Sequence, residues 1–120
     1  MPLKHANEMP AKVVGAGRDT TMQVLIGSDE GPNFAMRRFI MEPGGGMPLH
    51  TNAVEHEQYV LRGKGRVVIG EETLEVQRDD VVYIPAGVPH SYDSIGDEPF
   101  EFICVVPNRP DEIRLVDEGC

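Results

Sequence analysis

Residues 50–76 read HTNAVEHEQYVLRGKGRVVIGEETLEV. Behind two histidines come three short runs, EQYVLRG, RVVIG and TLEV, separated only by Gly63-Lys64-Gly65 and by Glu71-Glu72. Short runs rich in valine, isoleucine and aromatic residues, broken by glycine turns, are the pattern of antiparallel strands. The pattern continues in both directions. Upstream, TTMQVLIG ends in the loop SDEGPN, and FAMRRFIM runs into the turn-like EPGGGMP. Downstream, DVVYIP meets a turn at Ala86-Gly87, PHSYDS follows, and IGDEP leads into FEFICVV. Helical periodicity is absent outside the first dozen residues. Eight or more short strands in one small chain imply a closed barrel or a two-sheet jelly roll, because closure or stacking hides strand edges. The fold class is all-β.

The 120 residues fit a single domain spanning 1–120, with 40% hydrophobic residues for a modest core. Thirteen glycines and ten prolines are spread along the chain, as many tight turns require. Twenty acids against eleven bases give a formal charge of -9, which argues against nucleic-acid and anionic-membrane partners. No run has the length of a signal-peptide core or a membrane span, so a cytoplasmic location is expected. Two cysteines make no disulfide framework: Cys104 lies in an apolar run, and Cys120, at the last position, is expected to fray.

Three of the four histidines, His50, His56 and His90, precede strand-like runs, while His5 sits near the N-terminus and reads as a surface residue. Residues 50 and 52 share a face on an extended backbone, and a short bend at 53–55 would return His56 to that face. His90 arrives from a distant segment. Neutral imidazoles are common transition-metal ligands, and three of them leave positions open for substrate or oxygen. Spacing alone leaves two readings open, a shared metal site or incidental surface histidines.

The sequence resembles the cupin superfamily, both of whose signature motifs occur in order. In the first motif, G-x5-H-x-H-x3/4-E-x6-G, Gly44 opens, His50 takes the first histidine, Asn52 stands at the second, His56 stands at the glutamate and Gly63 closes. The second, G-x5-P-x-G-x2-H-x3-N, falls on Asp79, Pro85, Gly87, His90 and Ser94, with departures at Asp79 and Ser94. VLIGSDEGPNFAMRRFIMEPGG, VEHEQYVLRGKG and IPAGVPH further resemble a group of small single-domain prokaryotic cupins. The resemblance implies a double-stranded β-helix, or jelly-roll barrel. It also implies one divalent transition metal per chain, manganese or iron first, with zinc, nickel or copper as other occupants. His50, His56 and His90 would be ligands, and Asn52 would coordinate directly or through a water.

Alternation from those ligands predicts the cavity lining. Gln58 follows His56 by two, Tyr92 follows His90 by two, and Phe100, Phe102, Cys104 and Val106 share a face opposite Glu101. In FAMRRFIM, Arg37, Phe39 and Met41 share one face, and the resemblance at MR-x-F selects Arg37 as the inward guanidinium. Such an arginine either clamps an anionic substrate or closes a structural ion pair. Cys104 reads as a redox-sensitive thiol near the metal or as a small core residue. The site residues expected to act in chemistry are Arg37, Gln58, Tyr92 and Cys104. The resulting expectation is a metal-dependent, dioxygenase-like or related oxidoreductase acting on a small organic anion. The alternatives are a non-catalytic binding or sensing module and a metal-independent sugar isomerase or epimerase. A homodimer is also expected, with TTMQVLIG adding to a partner's sheet.

Overall fold

A computed structural model describes residues 3–116 of the chain. Cys120 lies outside them. Ten strands follow one 3-10 turn at Ala6–Glu8: β1 (Ala11–Val13), β2 (Arg18–Ile26), β3 (Phe34–Thr51), β4 (His56–Arg62), β5 (Lys64–Ile69), β6 (Glu72–Gln77), β7 (Val81–Ile84), β8 (His90–Ser94), β9 (Phe100–Pro107) and β10 (Arg114–Leu115). The helical hint near the N-terminus thus amounts to one 3-10 turn, at which His5 is exposed and accepts from the Asn7 amide. No helix among the described residues is long and apolar enough to cross a membrane.

The strands form one curled sheet in the order β6-β5-β8-β3-β9-β4-β7, with β2 and β10 also pairing to β3. The sheet curls because β3 serves both walls. Its first half pairs with β9, setting Arg37 against Cys104, Phe39 against Phe102 and Met41 against Phe100. Its second half pairs with β8, setting Gly46 against Asp93, Met47 against Tyr92 and His50 against His90. Every partnership is antiparallel, and the fold is the jelly-roll barrel that the sequence implied.

EPGGGMP, read from its glycines and proline as a turn, is instead the middle of β3. Its glycines serve close approach rather than reversal. A Cβ on Gly46 would stand 2.0 Å from the Tyr92 carbonyl oxygen. Gly63 combines a positive φ of 79° with a Cβ position 2.2 Å from the Pro99 oxygen, which accounts for the glycine that ends EQYVLRG. Asp79, where the second motif has glycine, adopts φ 73°, a left-handed conformation that aspartate tolerates better than most residues. Its carboxylate accepts a hydrogen bond from the Tyr59 hydroxyl at 2.8 Å.

The inward set Phe100, Phe102, Cys104 and Val106 is buried as alternation predicts. Phe102 stacks on Phe39 (5.2 Å) and on Tyr92 (5.3 Å), and Phe100 tilts against it, so one aromatic stack ties β3, β8 and β9 together. Deleting such a ring costs about 3–5 kcal/mol. Glu101, on the opposite face, is also only 4% exposed, which alternation did not anticipate. Arg38 and Arg62 cover it as ion-pair partners. The free edge of β2 is not fully open to a partner either, since β1 occupies it from Thr21 to Gln23.

Gly46→Ala should lose at least about 3 kcal/mol of stability, because the clash is with backbone that cannot move aside without breaking strand pairing. Gly15→Ala, where nothing lies within 4 Å of the new Cβ, should stay within about 0.5 kcal/mol of the parent. Urea titration of the two variants checks the difference.

Candidate functional site

The strand register assembles one end of the barrel. His50 and His90 are opposed residues of β3 and β8, and their ring centroids lie 4.2 Å apart. After His50 the chain bends at Ala53 and Val54, as the spacing suggested. Val54 is buried, and the Asn52 carbonyl accepts from the Gly87 amide at 2.8 Å, so the bend is anchored on both sides. His56 then opens β4, with its ring centroid 5.7 Å from that of His90. His90 therefore stands close to both other imidazoles.

A cavity of about 270 Å³ is lined by His50, Asn52, His56 and His90 together with Arg37, Gln58 and Tyr92. All seven were singled out from the sequence. The remaining lining is mostly apolar, including Met22, Phe39, Met41, Met47 and Phe102. Cys104, the eighth candidate, is fully buried and contacts three lining residues without lining the cavity itself. Its sulfur lies 3.1 Å from His56 Nδ1, 3.6 Å from the Arg37 guanidinium and 3.7 Å from Gln58 Nε2.

Hydrogen bonding assigns the imidazoles. His50 Nδ1 lies 2.7 Å from the Pro48 carbonyl and His90 Nδ1 lies 2.9 Å from the Val88 carbonyl. A carbonyl only accepts, so in the neutral ring each Nδ1 carries the proton and each Nε2 carries a lone pair. The Cys104 sulfur can accept the corresponding proton of His56. His56 Nε2 and His90 Nε2 are buried with no hydrogen-bond partner, as is Asn52 Oδ1. Buried polar atoms are normally paired, so three orphaned acceptors at one cavity call for an electrophile or a donor. As they stand, no three His, Cys, Asp or Glu side chains among the described residues converge closely enough to grip one ion. The orphaned set is made of borderline nitrogens and one hard oxygen, a donor set that suits a divalent transition metal.

Electrostatics keeps His56 and His90 neutral. Burial pushes the His56 pKa down to about 4, and the Arg37 and His90 charges push the same way while Asp111 opposes them. Burial also lowers His90 to about 4, against the opposing hydrogen bond to Val88. Burial raises the Tyr92 phenol far above its usual range, so Tyr92 stays protonated and is no general base near neutral pH. Its oxygen accepts from Gln58 Nε2 at 2.7 Å, giving the buried amide the partner it needed. Burial likewise raises the Cys104 thiol, outweighing Arg37 and Gln58.

Arg37 lies over the Phe39 ring at 5.2 Å, and its buried Nε has no partner. Among the described residues no carboxylate pairs with it, whereas its neighbour Arg38 pairs with Glu101.

Sequence reasoning missed the rim. Lys12, Val13 and Val14 at the N-terminal side and Ile113 at the C-terminal side also line the cavity. Asp111 reaches the site from the same C-terminal segment, accepting from Asn52 Nδ2 at 3.1 Å and from the Ala53 amide at 2.8 Å. None of these residues carries a periodic or motif signal. Only the chain's path brings them there.

Comparison with known proteins agrees with this architecture. A family model described as a cupin domain matches residues 37–106. The 1-methylthio-D-xylulose 5-phosphate methylsulfurylase of Rhodospirillum rubrum is 32% identical over 102 residues, covering 85% of this chain and 65% of that protein. Oxalate decarboxylase OxdC of Bacillus subtilis is 36% identical over 69 residues, covering 52% of this chain and 18% of that protein. The chain thus spans less than two thirds of the length of the curated relatives it matches. The polyketide cyclase RemF from Streptomyces resistomycificus superposes with a TM-score of 0.88 at 30% identity, covering 99% of this chain and 87% of that one. With its jelly-roll walls, its histidine-lined cavity and a family match over more than half its length, the chain belongs to the cupin family.

Proposed function

We propose that this cupin is a metal-dependent enzyme acting on a small organic anion. In this reading one divalent ion, manganese or iron first, is held by His50, His56 and His90 with Asn52 as an oxygen donor. The observation that carries it is the set of orphaned acceptors, His56 Nε2, His90 Nε2 and Asn52 Oδ1, facing a cavity that Arg37 also lines. When bound there, such an ion supplies Lewis-acid polarisation of a substrate oxygen or activation of dioxygen. Arg37, which no carboxylate among the described residues pairs, supplies the fixed positive charge for the substrate's anionic group. Tyr92 supplies a hydroxyl proton for a hydrogen bond, its oxygen already accepting from Gln58. The methionine and phenylalanine lining holds an apolar body and excludes water.

Three similar proteins bear enzyme names, a cyclase, a methylsulfurylase and a decarboxylase, which supports catalysis over passive binding. None of the three names is that of an oxygenase. Lewis-acid chemistry is therefore preferred over dioxygenation, and oxygen-electrode assays against anaerobic turnover of carboxylates and phenols separate the two. Ligand binding without turnover in either assay would identify a binding module instead. A homodimer belongs to the same proposal, through the exposed Val24 and Ile26 of β2 beyond the stretch that β1 covers. Light scattering should then give twice the chain mass.

Elemental analysis of untagged protein should find one transition-metal ion per chain, and His90→Ala should lose most of it while remaining folded. Unchanged stoichiometry in that variant would refute the ligand assignment. Arg37→Met should retain the metal and weaken anion binding by about tenfold or more, the scale of one lost charge-assisted hydrogen bond.

Metal-free protein should lose stability as pH falls from 6.5 toward 4. The sign follows from the lowered pKa values of His56 and His90: the unfolded chain takes up protons in that window and the folded chain does not. Each histidine contributes up to about 1.4 kcal/mol per pH unit. Thermal melts of the metal-free His56→Asn, His90→Asn double variant should show a flatter slope over that range.

A further inference from the structure

We infer that Asp111 is a positioning residue that sets which end of the Asn52 amide faces the cavity. The two ends of an asparagine amide differ only in chemistry, and a carboxylate can only accept hydrogen bonds. Asp111 Oδ2 lies 3.1 Å from the Asn52 amide nitrogen, so that nitrogen must be the end turned to the rim. The oxygen, by elimination, is the end turned to the cavity, where it is buried and unpartnered.

Asp111 is itself held. Its Oδ1 accepts from the backbone amides of Ala53 and Glu112, both at 2.8 Å. The segment that carries it is tied back onto β3 by Arg114 opposite Thr51, Leu115 opposite His50, and the Val116 amide on the Leu49 carbonyl. One oxygen of the carboxylate is therefore committed to backbone and the other to Asn52. The consequence for metal binding rests on the metal reading above; the orientation of the amide does not.

Asp111→Asn is the informative substitution. Its single oxygen is claimed by the two backbone amides, which turns its NH2 group toward residue 52. Two NH2 groups cannot face each other, so the Asn52 amide should flip and present nitrogen to the cavity. A hard oxygen donor matters more to manganese than to zinc, which the imidazoles satisfy.

Titrating metal-free protein with Mn2+ and with Zn2+ separately should show Asp111→Asn weakening Mn2+ at least about tenfold, with a smaller loss for Zn2+. Asp111→Glu should recover part of the Mn2+ loss. Equal losses for the two ions, or none, would overturn the inference, because a merely structural rim contact moves both alike. Nitrogen-15 NMR of the Asn52 side chain in metal-free protein gives a readout that needs no metal. Its NH2 protons should be protected from exchange in the parent and lose protection in Asp111→Ala. Unchanged protection would overturn the inference. If the parent binds neither ion, the metal reading falls and the NMR result alone decides the role of Asp111.

Discussion

One strand holds the molecule together. β3 runs for 18 residues; β9 pairs with its first half, β8 and β10 with its second, and β2 runs along the first half and on to Gly46. Among the described residues, no other strand joins the β8 side of the sheet to the β9 side. For the strand to turn from one wall to the other, backbone must pass close to backbone at Gly45 and Gly46, where the Arg18 and Tyr92 carbonyl oxygens leave no room for a side chain. The register of that strand then dictates the site. With Met41 opposite Phe100 and His50 opposite His90, the aromatic stack and the imidazole pair occupy successive levels of one barrel.

The same strand shows how alternation sorts charge. Arg37 and Arg38 are neighbours in sequence and point to opposite faces. Arg38 meets Glu101, which also holds Arg62, and the three charges satisfy one another on the outer face. Glu101 is the buried member of the set, so losing Arg38, the less exposed of its two partners, would leave a buried carboxylate underpaired. Arg37 meets aromatic carbon, a thiol and the cavity. Among the described residues, then, one arginine is answered by a carboxylate and its neighbour is not.

Much of this was legible in the sequence because it follows from a period of two. Once His50, His56 and His90 were set inward, Gln58 and Tyr92 followed by counting, while the face of Phe102 was chosen against Glu101, and Arg37 by the resemblance at MR-x-F. The bend between Asn52 and His56 does not follow from that period, which already puts residues four apart on one face. An extended chain would hold them about 13 Å apart, and the bend brings them together. EPGGGMP was misread because glycine and proline mark turns in most local contexts, and only tertiary crowding shows that these glycines belong inside a strand. Glu101 was missed because its burial comes from two arginines distant in sequence. Asp111, Lys12 and Ile113 were illegible in a stronger sense. They lie on segments with no period and no motif, brought to the rim by a handful of backbone pairings.

Those rim segments have a kinetic meaning. The walls beside the cavity include long registers, eight paired residues between β3 and β9 and five between β5 and β8, joined by a shorter seam of three between β3 and β8. β1 is held by three residue pairs and β10 by two. Local opening costs least where pairings are fewest, which makes these two short strands among the least firmly held elements of the fold. Lys12 and Val13 of β1, and Ile113 just before β10, are therefore the parts of the cavity lining that the fewest strand pairings hold.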